Sequence, residues 1–149
     1  MKWEIKEFKE LSVCELYRIL ELRNSVFIVE QECIYQDCDR KDLEAFHLLC
    51  IEDDKVIATL RILHKGVSYK EMSIGRVVVH KEYRRKNLGR KSMELAIQFI
   101  KDKYGDSPIR ISAQVYIKEF YKSLGFIEVS DVYLEDDIPH IEMLYEMKK

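Results

Sequence analysis

Residues 74–89 read Ile74-Gly75-Arg76-Val77-Val78-Val79-His80-Lys81-Glu82-Tyr83-Arg84-Arg85-Lys86-Asn87-Leu88-Gly89. The three consecutive valines predict a strand over residues 74–80 that is covered on both faces, because β-branched side chains suit a pleated surface and an unbroken apolar run needs cover on each side. Beyond Leu88, the residues Met93, Ala96, Ile97, Ile100 and Tyr104 recur at helical spacing, and Leu95 and Phe99 add a second stripe. A well-buried helix follows. Strand, basic turn and helix in that order make an anion site. The first N–H groups of a helix lack partners within it, and the aligned peptide dipoles place roughly half a positive charge there. Arg84, Arg85, Lys86 and Arg90 add charge-assisted donors for phosphate oxygens, and Gly89 has no side chain to block a ligand. Neither a Walker loop nor a three-glycine Rossmann turn occurs, so a pyrophosphate held by a different turn is expected.

On the N-terminal side, Ser12-Val13-Cys14-Glu15 has capping-box spacing, and Leu16, Ile19, Leu20, Val26 and Phe27 continue at helical intervals. A first helix is expected to about Phe27. Residues 30–44 are polar, aperiodic and rich in Asp, which suggests an ordered functional loop or short helical turns. Residues 47–51 and 55–63 flank Asp53-Asp54 and read as a hairpin, with another turn near Gly66. On the C-terminal side, Gly105 and Pro108 stop the long helix, residues 109–113 make a short strand and residues 117–124 a short helix. Gly125 stands where a left-handed cap is wanted. Residues 126–129 and the alternating Ile141, Met143, Tyr145 and Met147 complete the sheet. The expected order is helix, three or four strands, helix, strand, helix and two strands. That is a mixed α/β sheet in a single domain spanning residues 1–149.

At 149 residues with 47% hydrophobic content, the chain can bury a sizeable core. Its 25 basic and 27 acidic side chains leave a net charge of -2, which offers no global attraction to nucleic acid or to an anionic membrane. The near-neutral total hides two poles. Lys81, Arg84, Arg85, Lys86, Arg90 and Lys91 cluster against one acid, Glu82, whereas Glu30, Glu32, Asp37, Asp39, Asp42 and Glu44 face Arg40 and Lys41. The longest apolar runs fall far short of the ~20 residues that span a bilayer. The first ten residues are interrupted by charge and lack a signal-peptide centre, so a cytoplasmic location is expected. Cys14, Cys33, Cys38 and Cys50 form no CxxC pair and have no neighbouring His pair, so they read as reduced thiols and no metal is expected.

Residues 79–89 resemble the coenzyme A signature of the GNAT superfamily of N-acetyltransferases, Arg/Gln-x-x-Gly-x-Gly/Ala after a strand. Arg84 and Gly89 match its ends, and Asn87 stands where the family has its first glycine. Asn tolerates left-handed backbone better than most side chains, which suits that substitution. Phe120-Tyr121-Lys122-Ser123-Leu124-Gly125-Phe126 resembles the family's short helix with its Tyr and terminal Gly-Phe. A third set is similar to the ElaA-like subgroup: Arg23, Val26-Phe27-Ile28-Val29-Glu30-Gln31, Tyr35-Gln36-Asp37, Asp39 and Ile138-Pro139-His140-Ile141.

The resemblance implies a mainly antiparallel central sheet flanked by helices, with two strands splayed at the cofactor site. It implies acetyl-CoA as cofactor, its pantetheine arm bonded to the backbone of Val77, Val78 and Val79 like an added strand. The pyrophosphate is then held by Arg84, Arg85, Lys86, Asn87, Leu88, Gly89 and Arg90. Direct attack of a primary amine on the thioester gives an oxyanion that a strand N–H can stabilise. Tyr121, by its place in the motif, protonates the departing thiolate, since a phenol of pKa about 10 keeps its proton at neutral pH. An amine of pKa about 10.4 is only about one part in a thousand neutral at pH 7, so a base helps. Glu30 and His140 are the candidates; His47 and His80 read as structural. The acceptor is a small-molecule or protein amine, and Asp37, Asp39 and Asp42 offer a way to attract a cationic one. A homodimer is compatible with the sequence. A catalytically weak acyl-CoA-binding sensor is the alternative, and a nucleic-acid binder using residues 84–91 conflicts with the acidic total.

Overall fold

The computed structural model describes residues 1–146. Eight strands form one sheet: β1 Lys2–Glu7, β2 Phe46–Glu52, β3 Lys55–Leu63, β4 Met72–Val79, β5 Ile109–Gln114, β6 Ile127–Glu128, β7 Tyr133–Glu135 and β8 Ile138–Tyr145. Their order is β1-β2-β3-β4-β5-β8-β6, with β7 also paired to β8. Among the described residues only β4 and β5 run parallel; every other pair is antiparallel. The helices are α1 Val13–Arg23, α2 Leu88–Tyr104 and α3 Lys118–Ser123.

Alternation along the strands assigns the helices to opposite faces. Leu48 packs in a cluster with Met93, Ala96 and Ile100 of α2, whereas its neighbour Leu49 packs with Ile19 and Leu22 of α1. Successive residues of a strand point to opposite faces, so α1 and α2 sandwich the sheet. The same holds in β4, where Val77 packs on the α2 cluster and Val78 on the α1 cluster. The valine run is therefore covered twice, as its composition requires.

Ser12 caps α1 reciprocally. Its Oγ accepts from the Glu15 N–H at 3.0 Å, and the Glu15 carboxylate accepts from the Ser12 N–H at 2.8 Å. Regular α-helix stops at Arg23, short of the expected Phe27, and a π-helical stretch continues over Asn24–Glu30. The bonds from Gln31 N–H to Val26 O and from Cys33 N–H to Ile28 O join residues five positions apart. Such widened turns are frequent at functional sites.

Two strands were absent from the sequence-based order. β1 pairs with β2 along Lys2–Glu7, with Trp3 and Ile5 packed on the core. The three-residue β7 is held by β8 in a tight hairpin through Asp136 and Asp137, both at positive φ. Ile141 and Met143 are buried as expected from their alternation, and Met147 lies outside the described residues.

Candidate functional site

β4 and β5 are paired only at Met72 with Ile109 and Ser73 with Arg110. Past Ser73 they separate, and a cleft of about 430 Å³ opens between them. A bulge bends β4 at this point. Thr59 faces Val78 and Arg61 faces Gly75, so the single Leu60 of β3 opposes two residues, Arg76 and Val77, and Arg76 takes φ +52°. An extra residue on one strand kinks it and increases its twist. The π-helical stretch, α3 and the β7–β8 hairpin also line the cleft, through Phe27, Glu30, Tyr121, Asp136 and His140 among others.

Val77, Val78 and Val79 all line this cleft. Directly after β4 the basic turn leads into α2, and its Arg84 lines the cleft. Asn87 adopts the left-handed conformation, φ +59°, as its place in the signature requires, and Arg85 does the same at +68°. Among the described residues, the N–H groups of Leu88, Gly89 and Arg90 have no protein acceptor, as geometry dictates for a helix start without a side-chain cap. Arg85, Lys86 and Asn87 are exposed, while the Leu88 side chain is buried against Cys50, Ile57 and Ala58 and anchors the turn. A Cβ on Gly89 would meet Phe120 and Val79 at 3.8 Å, an ordinary contact, so internal packing does not demand glycine there. The Arg90 guanidinium donates to Ser123 Oγ and lies 5.8 Å from the Phe120 ring, tying α2 to α3.

Arg84 differs from its neighbours. Its guanidinium grips Glu30 through two bonds of 2.6 and 2.9 Å and donates to the Val79 carbonyl at 3.3 Å. The hydrogen bond from Arg84 holds the Glu30 carboxyl below the ordinary carboxylate range. Both side chains are about 40% exposed, so the pair is solvent-screened and is a modest clasp at the cleft.

Tyr121 is 6% exposed and packs in the main core, yet its ring also borders the cleft and its hydroxyl has no protein partner among the described residues. Burial pushes the phenol above its ordinary value, so it stays protonated at neutral pH. Phe120 is only half-buried; Tyr121 is the deeper ring of the pair. His140 also lines the cleft, opposite Gln114 at the end of β5. Its Nδ1 meets the Ile138 carbonyl at 2.6 Å, which requires Nδ1–H because a carbonyl can only accept. Nε2, the other ring nitrogen, lies 3.5 Å from the Glu135 carboxylate.

The acidic loop does not play the part expected of it. Asp37, Asp39 and Asp42 are not free to attract an amine, because three arginines hold them. Arg23 binds Asp37 and Asp42, each at 2.8 Å, Arg61 binds Asp39 at 2.7 Å and Asp42 at 3.0 Å, and Arg76 reaches Asp37 at 2.8 Å and Asp39 at 3.4 Å. Burial opposes ionisation of Asp39 and Asp42, but the hydrogen bonds from Arg61 and Arg23 respectively prevail and keep both pKa values low. His47 donates from Nε2 to the Asp42 carbonyl and is structural, as is His80, whose Nδ1 accepts from the Glu82 N–H. Sequence reasoning missed Arg61 and Arg76, together with the cleft residues Ser112, Gln114, Glu135 and Asp136. Their spacing carries no signal, because strand pairing brings them together.

Residues 15–147 match the model of the acetyltransferase (GNAT) domain family. The chain belongs to the GNAT acetyltransferases. ElaA of Escherichia coli is 39% identical over 149 residues, covering 99% of this chain and 97% of ElaA. The crystal structure of Escherichia coli ElaA superposes with a TM-score of 0.92 at 40% identity, over 98% of this chain and 100% of the other. An acyl-CoA N-acyltransferase from Pseudomonas aeruginosa gives the same TM-score and identity over 97% of this chain and 99% of its own. This GNAT chain thus has the open, mainly antiparallel sheet of its structural relatives, with the cleft at the parallel β4–β5 pair. Among the described residues, no helix is long and apolar enough to cross a membrane, and no group of three or more His, Cys, Asp or Glu side chains is arranged to hold a metal.

Proposed function

We propose that this chain transfers an acetyl group from acetyl-CoA to a primary amine by direct attack, with donor and acceptor bound together. The observation that carries the reading is the cleft between β4 and β5, lined by Tyr121 with its unpartnered hydroxyl and by Arg84 of the basic turn, whose following helix-start amides have no protein acceptor and whose Arg85 and Lys86 are exposed. The residues fit the donor. The amides of Leu88, Gly89 and Arg90, with Arg85 and Lys86, would hold the pyrophosphate, and the glycine at 89, not required by packing, leaves room for it. The edge of β4 facing β5 has no strand partner beyond Ser73, so Val77, Val78 and Val79 would bond the pantetheine arm as an added strand. The Pseudomonas relative, an acyl-CoA N-acyltransferase by name, supports a donor of this class and a nitrogen acceptor.

In the reaction the amine nitrogen bonds to the thioester carbon and the carbon–sulfur bond breaks. Tyr121 gives its hydroxyl proton to the departing sulfur, His140 takes at Nε2 the proton the amine loses, and proton exchange with solvent restores both side chains. Glu30 is a poorer base than His140, since Arg84 occupies its carboxylate and lowers its affinity for a proton. Arg84 acts as a brace for the turn, and the phosphates fall to its neighbours. Titration calorimetry with coenzyme A and transfer assays on a broad amine panel test the reading. Coenzyme A binding with transfer to at least one amine is expected. Tight binding with no transfer to any amine selects an acyl-CoA sensor, and no binding at all sinks both.

A further inference from the structure

The reading of the cleft as an acyl-transfer site leaves Arg76 unused, although it is the residue at the β4 bulge itself. Its backbone is left-handed at φ +52° within a strand, a conformation that a side chain bearing Cβ does not hold unaided. The guanidinium is fixed from the far side. Nε lies 2.8 Å from Asp37 Oδ1, Nη2 donates to the Asp37 carbonyl at 3.1 Å and reaches Asp39 Oδ2 at 3.4 Å, and the group sits 5.4 Å from the Tyr35 ring centroid. Tyr35 in turn donates to Asp37 at 2.6 Å. The loop that holds Arg76 is itself held, because the 99% buried Arg23 of α1 and the 96% buried Arg61 of β3 bind the same aspartates. Arg76 and Tyr35 both face the cleft, and Val77 follows directly on the bulge.

We infer that Arg76 is a positioning residue for acyl transfer. Anchored by Asp37, Asp39 and Tyr35, it locks the β4 bulge and so aims the backbone of residues 77–79 at the thioester. The cluster makes the loop wall and the donor strand one rigid unit. Without the anchor the bulge can relax toward a regular ladder with β3. A one-residue slip in a strand turns each side chain to the opposite face, so Val77 and Val78 would exchange faces and the backbone donors would point elsewhere.

The test compares Arg76→Ala, Arg76→Gly and Tyr35→Leu with the wild type in steady-state acetyl transfer, alongside amide hydrogen exchange of peptides spanning residues 74–80. Alanine lacks the anchor and disfavours positive φ, whereas glycine lacks the anchor and accepts it. Arg76→Ala is expected to lose about 10²-fold in kcat, with KM for acetyl-CoA within about threefold and faster exchange in β4. Arg76→Gly is expected to recover a substantial part of that loss, and Tyr35→Leu to fall between Arg76→Gly and the wild type. Equal losses for alanine and glycine with wild-type exchange across residues 74–80 would show that the guanidinium acts on a substrate directly and overturn the inference, as would wild-type kcat in both; equal losses with faster exchange would support it, the anchor then outweighing the backbone preference. Absence of transfer by the wild-type protein would instead strike the function proposed above, and the exchange data would then decide whether Arg76 locks the bulge.

Discussion

Tyr121 sits where two demands meet. Its ring fills the core beside Phe126, at 5.9 Å between centroids, and its hydroxyl is left over at the cleft. Removing only the oxygen separates those roles. Tyr121→Phe keeps the packing, so its melting temperature is expected to stay near that of the wild type while kcat drops by about 10²-fold, the scale of a lost general acid. An unchanged kcat would remove Tyr121 from the chemistry. Gly125, four residues on, shows the opposite case of pure geometry. It holds φ +108°, and a Cβ there would come within 3.0 Å of Tyr145. Gly125→Ala is expected to cost about 1–3 kcal/mol in urea unfolding, from left-handed strain plus the displaced ring. Both residues were legible in the sequence because each belongs to a contiguous motif. Arg76 was not. A left-handed arginine in a strand leaves no trace in composition or period, since its cause is the bulge against β3 and a loop 37 residues upstream in the chain.

The elements divide along the same line. The basic turn and α2 could be read directly, since helix periodicity and the charge cluster are local, and Asn87 takes the left-handed backbone that its motif position calls for. Exposed Arg85 and Lys86 have no carboxylate partner within salt-bridge distance among the described residues, unlike Arg84. Reversing both, Arg85→Glu with Lys86→Glu, is expected to weaken coenzyme A binding at least ~10-fold, and added salt to erode the wild-type affinity in the same direction. Calorimetry at low and high ionic strength checks this; equal affinity in the variant would move the pyrophosphate away from the turn. β1 and the acidic loop were harder. Lys2, Glu4 and Lys6 alternate with Trp3 and Ile5, a strand pattern hidden by its density of charge. In the loop the aspartates were visible but their partners were not, because Arg23, Arg61 and Arg76 come from α1, β3 and β4. Breaking that cluster at its most buried member leaves Asp37 with Arg76 alone and Asp42 with Arg61 alone. Arg23→Met is therefore expected to destabilise by about 3–5 kcal/mol, measured by urea unfolding, and a loss under 1 kcal/mol would mean that solvent already reaches the aspartates.

At the scale of the whole molecule, the buried cluster makes the fold sensitive to acid in two stages. His47 is 1% exposed, and burial, aided by the charges of Arg23 and Arg61, lowers its pKa below the ordinary 6.5 although the Asp42 carbonyl pulls the other way. The unfolded chain therefore takes up a proton near pH 6.5 that the folded chain refuses. Stability present above that pH declines as pH falls through it. Asp39 and Asp42 have folded pKa values below their ordinary 3.8, so their contribution is complete above 3.8 and is lost as pH drops further toward the folded values. Urea midpoints are thus expected to fall modestly between pH 7.5 and 5 and steeply below pH 4. His47→Gln keeps a donor for the Asp42 carbonyl but cannot ionise, so it should flatten the first decline and leave the second intact. Parallel slopes for wild type and His47→Gln between pH 7.5 and 5 would show that His47 is protonated equally in both states. The first stage would then belong to the exposed surface, and the Arg–Asp cluster would govern only the second.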